Sequence, residues 1–290
     1  MIGTPGLLAG LVGVVALVPL VGAGGPDPSA AVAARALVAE RSAAADQALL
    51  ALERAIQPAL DLARSGAARV GNGESPPGER LAAAGAMLVE IDPLGAEASA
   101  RVRALEGARR ATEAPGVPIE PPTQAGELAS IGTQLEGTVT AADRFASMRL
   151  RAERVLTGLA AVVDALGDGD AAGAGAALGR ARADHEAIAA WEVDLVTLPI
   201  WVDASGALVD AAEALVRATV GGDARAAADA ADEFAMQRDG AASADRALRI
   251  AMGEGGAAVT AAPLGRLADL LRRTAEARAT VAEILQSVSR

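Results

Sequence analysis

His185 is the only histidine in the chain, so any chemistry that needs an imidazole depends on it. A Ser-His-Asp triad uses the ring to take the serine proton and a carboxylate to hold its tautomer. Here Leu178, Ala181, His185 and Ile188 recur at helical spacing on an apolar stripe, and no G-x-S-x-G turn is present to raise a serine. A di-iron carboxylate bundle carries Glu-x-x-His pairs. Arg182 stands three residues before His185 and Glu186 is its immediate neighbour, which defeats that spacing. Zinc through H-E-x-x-H lacks its second histidine. The expectation is a packed histidine, hydrogen-bonded at its ring nitrogens.

Other chemistry is excluded by missing residue types. With no cysteine there are no disulfides, thiolate metal sites or cysteine nucleophile. With no lysine a Walker loop cannot be built. Asp168-Gly169-Asp170 opens like a calcium loop, but Gly179 stands where the closing glutamate belongs. The acidic residues scatter along what read as solvated helix faces. The sequence therefore predicts no catalytic residue, no metal ligand and no cofactor.

The densest run of large apolar residues beyond the N-terminus follows Trp191, over residues 193–202. His185, Trp191, Leu195, Leu198, Ile200 and Trp201 form the candidate contact or ligand patch. Buried at the waist of a bundle they are core; exposed, they dock a partner or a small apolar ligand. Pro199 and the β-branched residues argue against one continuous helix through this run.

The elements that must hold this patch are helices. Residues 30–71 carry apolar and small residues in steps of three and four, with Pro58 inside the run as a kink. Residues 79–91 and 94–113 read as two helices parted at Asp92-Pro93, with Pro93 in the first turn of the second. Four prolines fall within residues 114–123, a semi-rigid connector. A helix of more than forty residues runs from 124 to Gly167. Two hairpins follow the same pattern, each with glycine closing one helix and an aspartate, Asp170 or Asp223, capping the next. Residues 203–220, 223–252 and 263–288 complete the set, with the glycines of 253–256 separating the last two.

Residues 2–25 contain no charged side chain. The apolar core of 7–20, the break at Pro19 and the small residues at 21–23 read as a secretory signal peptide, and the span from 2 to 23 also suffices for a single transmembrane helix. No Lys or Arg precedes it, which fits an export signal with a weak basic end or a start site that omits one. Taken whole, the chain is 52% hydrophobic yet 1% aromatic, and all 26 basic residues are arginine, the codon signature of a GC-rich bacterium. A net charge of −11 argues against nucleic acid and anionic lipid surfaces.

The expected architecture is all-α: an elongated antiparallel bundle of long Ala-rich helices behind a signal peptide or membrane anchor. Its segments are 1–25 (leader), 26–113 (N-terminal helices), 114–123 (connector) and 124–290 (C-terminal bundle), the two helical parts packing separately or as one. The expected function is an exported, non-enzymatic interaction or scaffolding module of a bacterial cell envelope, secreted or anchored with its body outside. A protein partner or self-association is implied, and membrane contact only through the leader. A ligand-binding or sensor-like bundle with a pocket near His185, Trp191 and Trp201 is the alternative. An enzyme using paired carboxylates ranks third.

Overall fold

The structure, a computed structural model, describes residues 28–72, 76–112 and 117–289. The leader expected at 1–25 lies outside them. Among the described residues there are six helices and no strand: α1 Pro28–Asn72, α2 Pro77–Ala111, α3 Glu127–Gly167, α4 Ala171–Ala189, α5 Thr197–Val220 and α6 Ala224–Val288. No helix among them is long and apolar enough to cross a membrane.

The apolar stripes of these helices close two cores. The first is built from α1, α2, the start of α3 and the end of α6, and centres on Leu49, Ile56, Leu88, Leu135 and Leu270. The second takes the end of α3, α4, α5 and the start of α6, around Val155, Leu159, Trp201, Leu208 and Leu248. In each, neighbours pack around a ring, α1–α2–α3–α6 and α3–α4–α5–α6. The cross-contacts make successive neighbours antiparallel: Gly78 meets Asp143 while Asp92 meets Ala129, and Arg154 meets Asp184 while Gly158 meets Ala181. The molecule is two up-down-up-down units joined end to end, with α3 and α6 common to both.

The shared pair keeps one register. Arg273 pairs with Glu127 at 2.5 Å, and the Phe145 ring lies 2.9 Å from where a Cβ on Gly255 would sit. The two contacts are eighteen residues apart on either helix, five turns at 3.6 residues per turn, so both fall on the same faces. At 65 residues α6 has a contour of about 98 Å at 1.5 Å per residue.

Two expected breaks are absent, each for a tertiary reason, while the break expected within 193–202 is present at 191–196 and one helix simply starts early. The glycines at 253–256 do not end a helix. Gly255 admits the Phe145 ring and Gly256 admits the Val70 side chain, which a Cβ there would overlap, so small residues let α6 pass the junction of the two units. Asp92-Pro93 does not divide α2. Pro93 is exposed, so the backbone group it leaves unpaired faces water, and Asp92 caps a different helix, α3. The helix expected from 203 begins six residues earlier, with Pro199 in its first turn, where its missing donor has no intrahelical partner to lose.

The described part of the Pro-rich connector, residues 117–123, is packed rather than free. Ile119 and Thr123 are buried, the Thr123 hydroxyl donates to the Gly95 carbonyl at 2.8 Å, and Glu106 accepts the Ile119 amide at 3.0 Å. The boundary between the cores therefore falls within α3 and α6, near Phe145, and not at 114–123.

Candidate functional site

Position 185 sits in the second half of α4, whose outer surface is pinned on both sides. Toward α3, Asp184 receives two hydrogen bonds from Arg154, at 2.8 and 2.9 Å, and a longer one from Arg151 at 3.3 Å. The Arg154 hydrogen bonds hold the Asp184 carboxyl below the usual carboxylate range against the opposing effect of burial, with the charges of Arg154 and Arg151 adding to them. Toward α5, Arg182 pairs with Glu213, which also accepts from Arg217 at 2.9 Å. Those bonds, Arg182 first, lower the Glu213 carboxyl as well.

Between these clamps the imidazole faces α5. Its Nε2 lies 3.0 Å from the Val202 carbonyl oxygen. A carbonyl only accepts, so Nε2 carries the proton and donates. The ring stacks on Trp201 with centroids 5.8 Å apart and planes at 28°. A Cβ at Gly206 would stand at ordinary contact distance from the ring, 3.5 Å. The Trp201 side chain is fully buried, and its indole Nε1 has no hydrogen-bond partner. An imidazole bonded to a backbone carbonyl and covered by an indole has one nitrogen engaged and one face shut.

The six candidate residues do not share one surface. Trp201 and Leu198 are buried, while His185 and Leu195 are half-buried. Trp191 packs edge-on against Phe145 at 5.4 Å and 78°, and lines a groove of about 770 Å³ with Arg144, Ser147 and Arg151 of α3. Ile200 points outward at 58% exposure, next to Val196 at 84%, one turn apart across the start of α5. The set is thus part core, part groove wall and part outer surface.

Asp168-Gly169-Asp170 is turn chemistry. Gly169 has φ +74°, and the Asp170 carboxylate accepts the Gly173 amide at 2.8 Å. Gly222 at φ +74° and Asp223, which accepts the amides of Arg225 and Ala226, repeat the arrangement. Among the described residues no group of three or more His, Asp or Glu side chains is placed to hold a metal ion.

A feature the sequence did not single out is an apolar cleft of about 490 Å³ between α3, α5 and α6. Leu159, Leu208, Leu215 and Phe234, all buried, form its floor. Alanines on α3 and α6 form the walls, and an alanine in a helical stripe reads alike whether buried or lining a slot. Compared with known proteins, the chain matches no protein-family model, no curated protein and no solved structure.

Proposed function

We propose that this chain is an exported, non-enzymatic rod that works by surface contact, as an interaction or scaffolding module of a bacterial cell envelope. What supports this most is the sharing of α3 and α6 by both four-helix units, which gives a long body with one continuous register. The apolar leader of residues 2–25 accounts for export. The exposed pair Val196 and Ile200 supplies an apolar contact surface midway along the rod.

Fractionation of native cells with N-terminal sequencing tests the location, and crosslinking in intact cells tests the contact. The reading expects the body outside the cytoplasmic membrane, and one stoichiometric crosslinked species that disappears in the Val196→Asp, Ile200→Asp double variant. Recovery from the cytosol with residues 2–25 intact contradicts it. A ligand-binding bundle is the second reading, and the cleft between α3, α5 and α6 favours it over a pocket at His185, where the interior is filled by Trp201.

A further inference from the structure

The cleft carries two charges, one on each wall, and they frame what it would hold. Ten of its twelve lining residues are apolar, and its volume falls within the range of about 300–1,000 Å³ typical of small-molecule sites. The two exceptions are Asp164 on α3 and Arg238 on α6. They form no ion pair with each other. Arg238 reaches only its sequence neighbour Asp239, at a loose 3.7 Å with both side chains largely exposed. Val163, at 40% exposure and itself a lining residue, carries the apolar surface out to the rim.

We propose that this cleft binds a single-chain zwitterionic amphiphile, with its hydrocarbon chain over Leu159, Leu208, Leu215 and Phe234, its anionic group at Arg238 and its cationic group at Asp164. The walls of the slot, Ala160, Val163, Ala231, Ala235 and Ala242, are exposed to water, and a hydrocarbon chain laid along them removes that contact. A head bearing one charge would satisfy one wall and meet repulsion from the other. A head bearing both satisfies the two together, which is the charge complementarity that selects it. The inference rests on the ligand-binding reading and adds the chemical class of the ligand.

Isothermal titration calorimetry of the purified chain with dodecylphosphocholine, dodecanoate and dodecyltrimethylammonium, each below its micelle concentration, tests it. The expected result is one dodecylphosphocholine per chain, bound about fivefold more tightly than either singly charged probe. Arg238→Ala should shift the preference toward dodecyltrimethylammonium, and Asp164→Ala toward dodecanoate. Both are exposed rim residues, and circular dichroism should show the same helix content. Ala235→Phe, placed on the wall to fill the slot, should weaken all three probes about tenfold. Equal affinity for the three heads, or rim variants without effect, overturns the zwitterion while leaving the ligand-binding reading standing. No binding at all, or binding unmoved by both Ala235→Phe and Ala160→Phe, overturns both.

Discussion

The carboxylate of Asp143, midway along α3, accepts the backbone amide of Gly78 in the first turn of α2 at 2.8 Å. The relationship is reciprocated. Asp92, midway along α2, accepts the amide of Ala129 in the first turn of α3 at 3.3 Å. Neither helix has a side-chain cap of its own, because Pro76 precedes α2 and Gly126 precedes α3. Each helix thus supplies the carboxylate that satisfies the other's first turn, which ties capping to correct pairing.

Removing one of these caps should therefore loosen the first unit. Asp143→Ala is expected to lower stability by about 1 kcal/mol, in the range of lost N-caps. Gly78→Ala should do so too, because a Cβ at position 78 would occupy the space of the Asp143 carboxyl. Urea unfolding of the two singles and the double should show non-additivity, since both changes remove the same hydrogen bond. Strict additivity would place the two residues in unrelated roles.

Glycine-to-alanine changes should have opposite signs along the same two helices. At the α2–α3 crossing, a Cβ on Gly85 would stand 2.8 Å from the Gly132 carbonyl oxygen, and one on Gly132 would stand 2.6 Å from that of Gly85. Backbone cannot yield as a side chain can, so either substitution should destabilise by about 1–3 kcal/mol. Gly107 and Gly137 lie in helix interiors with nothing within 4 Å of an added Cβ. Alanine there should stabilise by about 0.5–1 kcal/mol through helix propensity and reduced unfolded-state entropy. Thermal melts of the four variants check the sign reversal.

The tryptophans should separate by burial. Trp201 fills the second core, so Trp201→Ala is expected to lose about 3–5 kcal/mol. Trp191 stands half-buried against Phe145 and should lose less. Acrylamide should quench Trp191 fluorescence and spare Trp201, read in the two single-tryptophan variants. Efficient quenching of Trp201 would contradict the packing described.

Acid should release α4 from α3. The Asp184 carboxyl is held below its ordinary value, chiefly by Arg154, so its contribution is fully present above the unfolded-state value of about 3.9. It is lost as pH falls through the lower folded-state value. Asp184→Asn should therefore lower stability at neutral pH by about 1 kcal/mol, the scale for partly exposed pairs, and make little difference in strong acid. Chemical denaturation at several pH values should show the wild type and variant converging as pH drops. A constant gap would remove the ion pair as its source.

How much of this was readable beforehand depended on how local the cause was. The caps at Asp170 and Asp223 were legible because a glycine and an aspartate a few residues apart carry their own explanation. The length of α3 was legible from its unbroken spacing. The glycines of 253–256 misled because they serve Phe145 and Val70, which are remote in sequence. Asp92 misled because the amide it caps belongs to another helix. Of the candidate site, the apolar run left core and surface readings open, and which residue took which, Trp201 inside and Ile200 outside, depended on where α5 begins. The cleft was hidden because its walls are alanine.

The continuity of α6 through residues 253–256 is what makes two units one rod, and one distance tests it. The chain has no cysteine, so Ser243→Cys and Ala275→Cys, both at exposed positions of α6, can be spin-labelled alone. Double electron–electron resonance between them should give a single narrow distance near 48 Å, thirty-two residues at about 1.5 Å each. A distance below about 25 Å, as a helical hairpin turning at those glycines would give, would contradict the shared-helix architecture.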